Sequence, residues 1–184
     1  MEWDSLYIEK TDNVAFLTLD RSASLNAVND QLIGDFEEAC QTLCADGELR
    51  VVVLKGEGRA FCAGMDLNAA AHRPSTNEAI HAAWAPWQRA LDMFEQLNAL
   101  TIASIHGACL GAGCELVLAC DFRIAALTPR RQQIPECERG QGPFVRSCFD
   151  SCRSRSCYQV DPSNDRCRAR VYLANGGSEV MQVE

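Results

Sequence analysis

The chain has 184 residues, 47% hydrophobic and 23% charged, which fits one soluble globular domain with enough sequence to bury a core. A net charge of −8 argues against a surface built for nucleic-acid phosphates. No apolar run approaches the roughly 18 residues of a membrane span, and the acidic start Met1-Glu2-Trp3-Asp4 lacks the basic-then-apolar order of a secretory leader.

Leu6–Glu9 and Val14–Leu19 are predicted to form a hairpin turning at Thr11-Asp12-Asn13. Asn29 or Asp30 can cap a helix running to about Cys44, with Leu32, Ile33, Phe36, Ala39, Cys40 and Leu43 on one face. Val51–Leu54 is wholly apolar, the pattern of a strand covered on both faces, and Gly56-Glu57-Gly58 ends it. Thr76–Leu97 is predicted as a helix with Ala82, Leu91 and Phe94 inward, kinked or broken at Pro86. Ile102–Ile105 is a buried strand, Gly107–Gly113 a glycine-rich turn, Cys114–Cys120 a helix and Phe122–Ala125 a further strand. Strands alternating with helices predict an α/β fold with parallel pairing.

Composition divides the chain near residue 128. Residues 1–128 hold 8 Lys+Arg against 18 Asp+Glu, whereas residues 129–184 hold 9 Arg, no Lys and 7 acids. Leu, Ile, Val and Phe supply 33 of the first 128 residues but only 9 of the last 56, below the ~20% at which chains bury too little apolar surface. Residues 1–128 are therefore expected to be the folded core, and 129–184 an Arg/Cys/Ser-rich tail that is partly disordered, with residues 138–170 mobile. Eleven cysteines, an odd number, fit buried thiols in a reducing cytoplasm better than a disulfide framework. The close sets Cys40/Cys44, Cys109/Cys114 and Cys148/Cys152/Cys157 provide no paired Cys-x-x-Cys for zinc, and no metal is expected.

Two glycine turns lie between a buried strand and a helix start: Phe61-Cys62-Ala63-Gly64-Met65-Asp66-Leu67 and His106-Gly107-Ala108-Cys109-Leu110-Gly111-Ala112-Gly113-Cys114-Glu115. Such turns leave backbone N–H groups aimed outward at a positive helix end, and two of them facing one cavity would form a two-donor oxyanion hole. Taken singly, each turn is better explained by chain reversal or close helix packing. Glu115 opens an otherwise apolar helix. It is either a partner of the helix dipole or a carboxylate held in a dry pocket. Glu136 follows Ile134-Pro135, which fixes an extended approach, and its residue context alone fits a solvated side chain. Asp66 fits a helix cap, Trp84 and Trp87 fit packing, and His72, His81 and His106 have no partner spacing.

Phe61–Leu67 and His106–Glu115, with Leu25-Asn26-Ala27 before them and Cys120–Ala125 after, resemble the signature segments of the crotonase, or enoyl-CoA hydratase/isomerase, superfamily. The resemblance covers residues 5–126 and returns briefly at Ile134-Pro135-Glu136. It implies a spiral of ββα units, usually trimeric or hexameric, acting on acyl-CoA thioesters with no separate cofactor, coenzyme A being part of the substrate. It further implies that Ala63 and Ala112 donate backbone N–H groups to the oxyanion and that Glu115 and Glu136 are the catalytic pair. Ala27, Ala63, Gly64, Met65, Asp66, Leu67, Gly111 and Ala112 would line the substrate pocket. Glutamate at both matched positions favours hydration of a 2,3-enoyl thioester. Isomerisation by one glutamate, or an inactive chain that binds acyl-CoA or a partner, are the alternatives. The chain departs from the pattern at Arg131-Gln132-Gln133, where the family has a Phe-Gly pair, and after Glu136 it turns Arg/Ser/Cys-rich, with faint echoes of later family segments at Tyr158-Gln159-Val160 and Leu173-Ala174-Asn175. The expected C-terminal helical region is missing or degraded.

Overall fold

A computed structural model describes residues 1–70, 77–126, 157–160, 168–172 and 178–182. Strand β1 (Leu6–Thr11) and β2 (Val14–Leu19) form the predicted hairpin, tightened to a two-residue turn in which Asp12 takes φ 52°. Helix α1 (Asp30–Cys44) starts where its cap demands: the Asn29 side chain accepts from the Leu32 N–H at 2.9 Å. All six apolar positions expected on its inner face are buried. Each large one removed from water contributes on the order of 1.5–3 kcal/mol.

Strand β3 (Val51–Gly56) is longer than its apolar run and leads into a short strand that the sequence does not announce, β4 (Ala60–Cys62). The expectation of cover on both faces of β3 is corrected: Val52 and Leu54 are fully buried, while Val51 and Val53 on the opposite face are half-buried. Helix α2 (Leu67–Ala70) is followed by α3 (Asn77–Glu95). Helix α3 runs through Pro86 rather than breaking there. The carbonyl that Pro86 leaves without its helical donor belongs to Ala82, which is exposed and so open to water. Ala82 is therefore not inward as predicted. It lies off the face that Trp87, Ala90, Leu91 and Phe94 define at helical spacing.

Strand β5 (Leu100–Ile105), the two-residue β6 (Ala108–Cys109), helix α4 (Ala112–Ala119) and β7 (Phe122–Ala126) complete the part that builds the site. The pattern strand, short strand, helix thus occurs twice in succession, β3-β4-α3 and β5-β6-α4. It winds the chain into a spiral with one large sheet and one small one. In the large sheet β2, β3, β5 and β7 pair in parallel, in a row that sets Phe16 beside Val53, Val53 beside Ile102 and Ile102 beside Phe122. In the small sheet β4 pairs in parallel with β6.

Within the compositionally distinct tail, β8 (Cys157–Val160) adds in parallel to β7, and β9 (Arg168–Tyr172) and β10 (Ser178–Gln182) follow antiparallel. Apart from β8 and the first residues of β9, the stretch 138–170 expected to be mobile lies outside the described residues. A ladder of backbone hydrogen bonds can extend a sheet edge without the Leu, Ile and Phe in which the tail is poor. Among the described residues, no helix is long and apolar enough to cross a membrane.

Candidate active site

Pairing of β4 with β6 is what brings the two glycine turns together. Cys62 lies beside Cys109, and the Leu110 N–H donates to the Cys62 carbonyl at 3.0 Å. The chain then turns at Gly64 (φ 94°) and Gly111 (φ 50°), backbone that L side chains rarely adopt. A Cβ on Gly64 would stand 2.8 Å from the Leu110 carbonyl oxygen, and one on Gly111 would stand 3.7 Å from the Cα of Gly64. The turns are in van der Waals contact, back to back, although 47 positions separate their glycines.

A third segment borders them. Val28 bridges Met65 in parallel: its N–H donates to the Gly64 carbonyl at 2.8 Å, and its carbonyl accepts from the Asp66 N–H at 2.8 Å. In a parallel bridge the central residue's own N–H faces the other way, so Met65 N–H points away from Val28. The segment entering this bridge is locked by Asn26. Buried and in the left-handed region (φ 55°), Asn26 donates to the carbonyls of Glu57, Ala60 and Phe61 at 2.9, 2.8 and 3.1 Å and accepts the Arg21 N–H at 2.9 Å. Arg21 also bonds the Ala27 carbonyl and lies 3.4 Å from the Asp66 carboxylate. The other Asp66 oxygen accepts from the Asn68 N–H at 3.0 Å, the cap expected of it.

The donor expected of Ala63 needs correcting. Its N–H already donates to the Leu25 carbonyl at 3.0 Å and is turned inward. Met65, two residues on, presents the N–H that lacks an acceptor among the described residues, and Ala112 presents the other. The first turn of α4 explains why Ala112 stands out. Gly113 N–H reaches Leu110 O at 2.9 Å, and Cys114 and Glu115 N–H both reach Gly111 O at 2.8 and 3.2 Å, so only the Ala112 N–H in that turn is left over. The alternation of N–H directions along Gly64-Met65-Asp66 could have indicated Met65, but only once Val28 was known to pair there.

Glu115 sits half-buried in the first turn of α4, and its Oε2 accepts the Trp87 indole N–H at 2.6 Å. Trp87, expected only to pack, is thus also a partner of the candidate acid–base group. Residue spacing carries no sign of this, since the two lie on different helices. Of the other proposed pocket residues, Ala27 and Gly64 are buried, Gly111 is exposed, and Leu67 is 82% exposed. Glu136 and His72 lie outside the described residues. His106 contacts the Gly58 carbonyl through Nε2 at 2.9 Å. Five described cysteines are buried and Cys44 is exposed. Burial pushes the Cys62 thiol up to about 11, with the Gly64 N–H and Arg21 opposing. No three His, Cys, Asp or Glu side chains among the described residues stand close enough to hold a metal ion.

This geometry is accompanied by a sequence match over residues 9–146 to the family described as enoyl-CoA hydratase/isomerase. The chain belongs to that family. A probable enoyl-CoA hydratase of Mycobacterium bovis is 31% identical over 143 residues, covering 78% of this chain and 54% of the relative. A peroxisomal Delta(3,5)-Delta(2,4)-dienoyl-CoA isomerase of Arabidopsis thaliana is 32% identical over 126 residues, covering 62% of this chain and 45% of that protein. The crystal structure of an enoyl-CoA hydratase of Mycobacterium smegmatis superposes with a TM-score of 0.68 at 31% identity, over 80% of this chain and 56% of the other. The crotonase fold expected from the motifs is the one observed. This hydratase/isomerase-family chain spans about half the length of the curated relatives it matches.

Proposed function

We propose that the chain is an enoyl-CoA hydratase, adding water across the 2,3-double bond of a trans-2-enoyl-CoA. The observation that carries this reading is the contact between the Gly64 and Gly111 turns, which sets on adjoining backbone the Met65 and Ala112 N–H groups, both without described acceptors, with Glu115 on the same helix as Ala112. A thioester carbonyl held by both donors gains enolate character as the nucleophile adds, and each donor that meets the developing charge is worth about 3–4 kcal/mol. One carboxylate takes a proton from water as its oxygen bonds to C3. The π electrons move onto the carbonyl oxygen, and a carboxylic acid returns a proton to C2 as the enolate collapses. Glu115 and Glu136 are the two carboxylates assigned to these steps. The wall of the acyl-CoA pocket is assigned to Ala27, Ala63–Leu67 and Gly111–Ala112. No cofactor beyond the thioester is needed for this chemistry.

A second reading is double-bond isomerisation, in which one carboxylate removes a proton at one carbon and returns it at another. It is supported by an isomerase among the relatives. Incubating the purified chain with crotonyl-CoA, and separately with a 3-enoyl-CoA, tests both. Loss of the conjugated-thioester absorbance with formation of 3-hydroxyacyl-CoA supports hydration. Appearance of that absorbance from the 3-enoyl substrate supports isomerisation, and neither change refutes both. Titration with an acyl-CoA and with the free acid tests the thioester site, since equal affinities would contradict it.

A further inference from the structure

We propose that Trp87 is a positioning residue for Glu115: its indole N–H holds Oε2 and thereby leaves Oε1 as the oxygen that exchanges protons with the substrate. This rests on the acid–base role proposed for Glu115. The indole is 1% exposed and lies 2.6 Å from Oε2. An indole N–H can only donate, so it cannot take the proton that the carboxylate handles. It fixes one oxygen and with it the plane of the carboxyl group.

The anchor is itself held. The Trp87 ring packs against Phe36 of α1 at 6.2 Å between centroids with a 45° tilt, and Phe36 packs against Phe94 of α3 at 5.4 Å. All three aromatics are almost wholly buried, so the rotamer of Trp87 is set by the α1–α3 core. Glu115 is tied to α4, and α4 is tied to the oxyanion turn through Gly111 and Ala112. The hydrogen bond therefore fixes the carboxylate relative to the Ala112 N–H through two separate supports, backbone on one side and aromatic core on the other. A misplacement of about 1 Å in such a group can cost on the order of 10²-fold in rate. The contrasting role is purely structural, with Glu115 present to satisfy a buried indole.

The experiment compares the wild-type chain with Trp87→Phe, with Glu115→Gln, with the double variant, and with a chain in which Trp87 is replaced by its benzothiophene analogue. That analogue keeps the ring's shape and loses only the N–H, so it covers the case in which Trp87→Phe does not fold. The substrate is whichever of crotonyl-CoA or the 3-enoyl-CoA the wild type converts. We expect Trp87→Phe and the benzothiophene chain to lose roughly 10- to 100-fold in kcat with KM within about twofold. We also expect no further loss when Trp87→Phe is added to Glu115→Gln. A benzothiophene chain with kcat within twofold of wild type overturns the positioning role and leaves the acid–base role standing. So does a further loss in the double variant. A wild type that converts neither substrate overturns the acid–base role and the positioning role together.

Discussion

Glu115 is the residue on which the proposed chemistry turns. In Glu115→Gln the side chain keeps its size and can still accept the Trp87 N–H, but it can no longer exchange a proton. Turnover should fall by about 10²- to 10⁴-fold while the melting temperature stays within a few degrees. A variant with near-full turnover in the crotonyl-CoA assay would reduce Glu115 to a helix-end carboxylate. The buried thiols make a different statement. Burial, with lesser contributions from Cys44 and Glu37, pushes Cys40 up from 9.0 to about 12. Above pH 9 the unfolded chain gives up this proton and the folded chain keeps it, so the folded state binds more protons and stability falls as pH rises from 9 toward 12. The slope from one such thiol is about 1.4 kcal/mol per pH unit, and below pH 9 it contributes nothing. Urea midpoints at pH 8 and pH 10.5 should therefore differ less in Cys40→Ala than in the wild type. An equal drop in both would rule out this source.

At the scale of elements, the decisive contact is between α4 and β4. A Cβ on Gly113 would stand 2.7 Å from the Cys62 carbonyl oxygen and 2.8 Å from the Cys62 Cβ. Neither is a flexible chain end, so Gly113→Ala must push the helix off the strand. We expect a loss of about 1–3 kcal/mol in stability by urea denaturation. Because Ala112 and Glu115 ride on the same helix, we also expect a fall in kcat larger than any rise in KM. Unchanged kcat would mean that the site tolerates movement of α4. The elements also show what was legible in the sequence. Helix α1 was readable because its cap and its apolar face are local patterns. The same is true of the β1–β2 hairpin and the strand cores of β3, β5 and β7. Strands β4 and β6 were not readable, because three and two residues carry no period and exist only by pairing with each other. The site inherited that gap. The two turns and Glu115 were visible as motifs. That Ala63 N–H faces Leu25, that Met65 N–H faces out, and that Trp87 reaches Glu115 are facts of tertiary pairing.

Across the whole molecule, the sheet is made of distant partners. Val14 pairs with Val51, Val51 with Leu100, and Cys62 with Cys109. Loops this long cost closure entropy before any contact offsets it, so refolding from urea should take milliseconds to seconds rather than microseconds. Stopped-flow circular dichroism would measure it, and microsecond recovery would contradict the strand order. Order in time follows from the same arrangement. During synthesis, from the N-terminus, the turn at Gly64 leaves the ribosome while the residues that will carry Ala112 and Glu115 are still unmade. Until they emerge, Gly64 has no Leu110–Gly111 backbone to lie against, and Cys62 has no Cys109 to pair with. The half-built chain is therefore a scaffold without a reaction centre. The candidate site is complete only when the second turn of the spiral closes on the first.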